Sequence, residues 1–202
     1  MIVLGLTGPS GSGKGALCHA FLKRGVPSLD TDAVYHAIVG SPSPCTKELA
    51  DTFGAFVLDE NGAVNRPALA KHVFCGGKEE KERLTVLNRI THRYVLDAAR
   101  LWLAQQAQKG YKAAIIDAPL LYESGFDREC DAVIAILAPR EVRQARIMLR
   151  DAIDVQKAQA RIAAQQDDCF YTSRAKYVVI NDRDTEHLSK EAENILRALG
   201  IE

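Results

Sequence analysis

The sequence predicts an α/β fold built on a five-stranded parallel sheet and interrupted by a long helical segment. Three observations predict it. Short apolar runs rich in β-branched residues alternate with longer helical patterns, as in doubly wound sheets whose strands are buried on both faces. A glycine-rich turn with a lysine, GPSGSGKG from Gly8 to Gly15, follows the first run and opens a helical pattern. The stretch between Asp32 and Ala113 has little strand character and far exceeds what a strand-helix-strand crossover needs.

The elements follow in order. IVLGL (Ile2 to Leu6) is the first strand. GALCHAFLKRG then reads as a helix closed by Lys23, Arg24 and Gly25. VPSLD (Val26 to Asp30) is a weaker strand, and AAIID (Ala113 to Asp117), AVIAIL (Ala132 to Leu137) and YVVIN (Tyr177 to Asn181) complete the sheet. Within the interruption, CTKELADTFG and PALAKHVF read as helices around a turn at LDENGAVNRP. KEEKERLTVLNRITHRYVLDAARLWLAQQAQKG reads as one long helix or two in series. Leu84, Leu87, Ile90, Tyr94, Val95, Ala98, Leu101 and Trp102 recur along it at helical spacing, as a core-facing stripe.

Composition narrows the function classes. The 26 basic residues balance 26 acidic ones, which gives no support to a general nucleic-acid or membrane-surface protein. The chain carries no apolar run long enough to span a membrane, and MIVLGLTG lacks the basic start of a signal peptide. Five scattered cysteines, with no C-x-x-C pair, fit reduced thiols and a cytoplasmic protein.

The turn GPSGSGKG fits the phosphate-loop pattern G-x-x-x-x-G-K-[ST] at every fixed place except the last, where Gly15 stands for Ser or Thr. Gly8, Gly11 and Gly13 let the backbone curl around an anion with its N–H groups inward, and the following helix adds its positive end. Lys14 reaches the outer phosphates. The missing hydroxyl normally touches the magnesium of a bound nucleotide. The loop alone leaves open a working kinase and a nucleotide binder without chemistry.

Phosphoryl transfer also needs carboxylates and further cations. Asp30 and Asp32 stand two apart after the second strand, so in extended chain they share a face; alternatively one caps a helix starting at Ala33. Asp117 ends a buried strand, where a magnesium-shell carboxylate or an ordinary strand-end turn is expected. Arg143, Arg146 and Arg150 are spaced three and four apart and share one helix face. That face is either simply solvated or part of a lid over a triphosphate.

Taken together, GLTGPSGSGKG, LDTD, GAVNRPALAKHVF, LNRITH, DAPLLYESG, RIMLRD, ARIAAQ and YVVIN resemble the dephospho-coenzyme A kinase family, in order and over nearly the whole chain. The resemblance implies a P-loop kinase whose substrates are ATP and dephospho-coenzyme A, the γ-phosphate passing to the ribose 3′-hydroxyl in the last step of coenzyme A biosynthesis. It implies a nucleotide-binding core (1–32, 112–138 and 166–202), a helical coenzyme-A-binding insertion (33–111) and a lid (139–165).

By position, Asp32 is then the base or orienter of the acceptor hydroxyl, with Lys14 and Arg146 on the phosphoryl. Gly8, Gly11, Ser12, Gly13, Lys14, Gly15 and Ala16 bind the nucleotide with Arg150, and Asn181 lies near the adenine. Asp117 serves Mg2+ through water, while His92, Leu120, Leu121, Tyr122 and Glu123 line the acceptor site with Asp32.

The chain departs from the family at several places. Gly15 and Ala16 replace two hydroxyl residues, Arg93 replaces a proline after His92, Tyr171 a lysine and Arg143 a glutamine. Losing one coordinating hydroxyl costs about 1 to 3 kcal/mol, or about tenfold to hundredfold in rate. The expectation is therefore a slower or more magnesium-dependent enzyme. Two other classes stay open: another small-molecule P-loop kinase, and a catalytically weakened nucleotide-binding homologue.

Overall fold

The computed structural model describes residues 1–201. Their order is β1 (Ile2–Thr7), α1 (Lys14–Leu22), β2 (Ser28–Asp30), α2 (Thr31–Val39), α3 (Pro44–Phe53), α4 (Arg66–Val73), α5 (Gly77–Gln108), β3 (Ala113–Asp117), β4 (Ala132–Leu137), α6 (Arg140–Asp151), α7 (Val155–Ala163), α8 (Asp168–Thr172), β5 (Tyr177–Ile180) and α9 (Thr185–Ala198). The chain forms two compact units, Met1–Asp30 with the chain from Trp102 on, and Thr31–Leu101.

The first unit is the sheet. Its five strands run parallel in the order β2-β3-β1-β4-β5, so β1 is central and the loop after it lies where strand order reverses, the usual ligand crevice of open α/β sheets. Every residue of β4 is buried, which explains why AVIAIL reads as a continuous apolar run without alternation. Leu4, Leu6, Ile134, Ile136 and Val179 of the sheet form a core with Leu17 and Phe21 of α1 and Leu188, Ile195 and Leu196 of α9. α1 stops as its sequence predicts. Gly25 takes φ +77°, and the Val26 amide donates back to the Phe21 carbonyl.

The second unit is helical. Ser43 and Thr46 cap α3 reciprocally, with Pro44 at the first helical position. The LDENG turn closes on the Asp59 side chain, which accepts from the Asn61 and Ala63 amides, and Asn65 caps α4. Val39, Cys45, Leu49, Val57, Val64, Leu69, Val73 and Ile90 form this unit's own core.

The long segment is one helix of 32 residues. Its buried seam runs through Thr91, Val95 and Ala99, four residues apart, and Leu101 is 62% exposed. This corrects the expected stripe at that residue. At about 100° per residue, Leu101 is turned to the opposite side from Ala99.

Candidate active site

β1 ends at Thr7, and the chain turns through the glycine-rich loop before α1 begins at Lys14. Gly8 and Gly13 sit at φ +150° and +100°. A Cβ at Gly8 would come within 2.2 Å of the Ile136 carbonyl oxygen, and one at Gly13 within 2.0 Å of Asn181 Nδ2. Only glycine fits at either position.

The loop is held through its carbonyls. Arg143 Nε donates to the Ser10 carbonyl at 3.1 Å, Arg146 Nη1 to those of Gly11 and Ser12 at 3.2 and 3.3 Å, and Asn181 Nδ2 to that of Ser12 at 2.7 Å. Arg150 Nη2 donates to the Ser10 hydroxyl at 3.1 Å. Lys14 Nζ folds back to the Gly8 carbonyl at 3.4 Å. With three successive carbonyls occupied by donors, the alternate backbone groups can serve an anion. Ser12 Oγ is buried and has no hydrogen-bond partner among the described residues.

The arginine face predicted on α6 thus exists, and its members are engaged by the loop: Arg143 is 6% exposed. Asn181, expected near the adenine, is buried and spends its amide on the loop. Gly15 and Ala16 lie in the first turn of α1, both exposed, and among the described residues nothing lies within 4 Å of a Cβ added at Gly15. Gly13, at the cap of α1, has no side-chain acceptor to offer, so the first amides of that helix suit an external anion.

Two carboxylates meet at the carboxyl edge of the sheet. Asp30 ends β2, Asp117 ends β3, and the two are register partners. Partners in a parallel ladder project from one face, so this pair offers hard oxygen donors of the kind Mg2+ takes. Cys18, one turn along α1 from Lys14, donates its thiol to Asp117 Oδ2 at 3.9 Å. Burial, and then the Asp117 charge, push that thiol up to about 12, so it remains a neutral donor.

The expectation that Asp30 and Asp32 share an extended face is corrected. α2 begins at Thr31, ahead of the expected Ala33, and Asp32 lies in its first turn. A carboxylate there is favoured by the helix dipole, and the two-residue strand period does not apply across the junction. The register partner of Asp117 is Asp30.

His92 lies half-buried inside α5, which runs through without the proline. Burial holds its imidazole below the ordinary value. Arg93, in the proline's place, pairs with Glu48 of α3, and the Tyr94 hydroxyl donates to the same carboxylate. Of the DAPLLYE residues, Leu120 and Glu123 are exposed. Leu121 is buried against Gly5, and the buried Tyr122 hydroxyl donates to the Tyr171 carbonyl at 2.9 Å.

Sequence reasoning assigned no site role to Gln165 or Cys18, and gave Arg143 only a place on the candidate lid face. What the spacing of Arg143 did not reveal is its bond to the Ser10 carbonyl. Gln165 left no local signal, since its partner Ser10 is 155 residues away.

A family model for dephospho-CoA kinase matches residues 2–187. A dephospho-CoA kinase from Anaeromyxobacter dehalogenans is 39% identical over 199 residues, covering 98% of this chain and 92% of the relative. One from Syntrophotalea carbinolica is 40% identical over 186 residues, covering 92% and 86%. The solved dephospho-CoA kinase from Campylobacter jejuni matches with a TM-score of 0.68 at 25% identity, over 98% of this chain and 96% of that one. No helix among the described residues is long and apolar enough to cross a membrane. The likeness runs through the phosphate loop and almost all of the remaining chain, and at this identity it leaves one assignment: the chain belongs to the dephospho-CoA kinase family.

Proposed function

We propose that this chain is a working member of its family, one that completes coenzyme A biosynthesis with the following division of labour. Gly8, Gly11, Ser12, Gly13, Lys14, Gly15 and Ala16 form the site for the ATP phosphates, with the Lys14 ammonium on the outer ones. Asp32 accepts the proton of the ribose 3′-hydroxyl as that oxygen attacks the γ-phosphorus, and the bond to the β-phosphate oxygen breaks to release ADP. Lys14 and Arg146 neutralise the charge that moves across. Arg150 holds the lid side of ATP, and Asn181 acts on the nucleotide through the loop carbonyl it binds.

Asp117, with Asp30 beside it, would hold Mg2+ through water. When bound, the ion neutralises phosphate oxygens and orients them. His92, Leu120 and Glu123 serve the acceptor, while the burial of Leu121 and Tyr122 favours a supporting role for them beneath that surface. Residues 33–111 form the acceptor-binding insertion and 139–165 the lid. Five free thiols fit work in the reducing cytoplasm.

The observation that carries this reading is the row of carbonyls at Ser10, Gly11 and Ser12, each taken by a donor from α6 or from beyond β5. A loop so fixed is prepared for phosphate before the nucleotide arrives, which is where electrostatic catalysis gains most. Gly15 favours a second reading, a nucleotide binder with weakened chemistry. A coupled assay with dephospho-coenzyme A, ATP and varied Mg2+ decides between them. Turnover is expected at raised Mg2+; ATP binding with no turnover at any Mg2+ level would select the second.

A further inference from the structure

We infer that Arg143 is a positioning residue for the donor nucleotide, pinning Ser10 of the phosphate loop from behind and placing a fixed, buried positive charge next to the bound phosphates. The inference rests on the reading of this loop as the ATP site.

α6 and the loop approach as closely as backbones can. A Cβ at Gly11 would lie 2.7 Å from the Arg143 carbonyl oxygen and 3.0 Å from its Cα. At that contact the guanidinium closes a ring. Its Nε donates to the Ser10 carbonyl at 3.1 Å, its Nη2 donates to Gln165 Oε1 at 2.6 Å, and the same Oε1 accepts the Ser10 amide at 3.2 Å. Both backbone groups of Ser10 are thereby fixed by side chains lying far along the chain. Neighbouring Gly11 and Ser12 are held by Arg146.

The charge matters as much as the geometry. Arg143 is 6% exposed, and its ion-pair partner, Asp168, stands at 3.8 Å with a side chain that is itself 59% exposed. Burial pulls the guanidinium below its usual value, with Arg140 adding to the effect, yet an arginine stays ionised at any working pH. A buried cation with so thin a counter-charge works against stability in the empty protein. An anion in the loop supplies the missing counter-charge, at low dielectric and without displacing any bond. Stability and nucleotide affinity therefore pull in opposite directions at this residue, which a merely structural arginine would not show.

The test compares the parent, Arg143→Gln and Arg143→Lys by ATP titration calorimetry, thermal melting and steady-state kinetics. Arg143→Gln is expected to weaken ATP binding and raise the ATP KM by about tenfold, an effect that persists as salt rises because the charge is buried. The dephospho-coenzyme A KM should stay within about twofold, and the melting temperature should equal or exceed the parent's. Arg143→Lys keeps the charge but cannot span Ser10 and Gln165 together, so it should recover part of the affinity. ATP binding within about twofold of the parent in Arg143→Gln overturns the inference, as does an affinity loss matched by lower melting and by equal KM changes for both substrates. If Arg143→Gln does not fold, Arg143→Lys decides, because parent-like ATP binding at every salt concentration together with parent-like melting overturns the ring. A parent that binds no ATP removes the loop reading itself, whereas a parent that binds and a variant that matches it removes only the role of Arg143.

Discussion

Under the proposed function, Gly15 is the residue that sets the Mg2+ requirement. An added Cβ meets nothing within 4 Å there among the described residues, and the position is helical without positive φ, so Gly15→Ser should fold without strain and gain helix propensity. Restoring the hydroxyl should lower the Mg2+ concentration for half-maximal rate and raise turnover by up to about tenfold. A Mg2+ titration of initial rate checks this; identical curves would mean that the hydroxyl is dispensable. Gly13 is the opposite case. Gly13→Ala forces a Cβ onto Asn181 Nδ2 at a φ that L residues resist, so ATP binding should be lost beyond about a hundredfold, as read by calorimetry. Asp32→Asn should reduce kcat by at least about a hundredfold while ATP affinity holds. A change of only a few fold in kcat would remove Asp32 from the base role. The loop residues were legible in the sequence because a short motif with fixed spacing encodes its own geometry. The partner of Ser12 was not, since Asn181 acts across 169 positions and periodicity carries no such information.

At the scale of the element, helices and strands announce themselves by different means. β4 is readable as an unbroken apolar run, and α3 by a serine, a proline and a threonine whose capping bonds are all made. Ser43→Ala removes both the acceptor for the Thr46 amide and the donor to the Ile38 carbonyl. It should lower stability by about 1 to 2 kcal/mol, seen as a shift in denaturation midpoint with unchanged slope. α2 starts ahead of its expected position because Thr31 and Asp32 suit a helix's first turn as well as a strand's end. The stripe on α5 is legible through Ile90 and Val95 and fails at Leu101. An apolar residue at roughly the right spacing says which faces could be buried, and the packed neighbours decide where burial stops.

For the whole molecule, the perturbed groups define a pH window. The His92 imidazole is held below 6.5 by burial, so the neutral form belongs to the fold. Its contribution is complete above about pH 6.5 and is lost as pH falls toward the folded value. Cys18, Cys45 and Cys130 are raised from 9.0 to about 12, 11 and 12, first by burial and then by neighbouring carboxylates. Their contribution is complete below pH 9.0 and is lost as pH climbs through those values. Melting temperature should therefore plateau between about pH 6.5 and 9 and fall on both sides. His92→Gln should flatten the acid limb, and Cys130→Ala the alkaline one, in a series of melts across buffers.

The carbonyls that Asn181 and the α6 arginines secure belong to residues made well before the side chains that hold them. During translation, the glycine-rich turn is made long before it is completed: Ile136 must arrive to back Gly8, Arg143 to fix Ser10, and Asn181 to fix Ser12. A nascent chain halted before β5 would carry the entire phosphate-loop sequence and still lack its clamp. The geometry of this loop is consequently a report on the chain from β1 through β5, and a ligand that binds only the completed loop would favour molecules in which those partners have arrived.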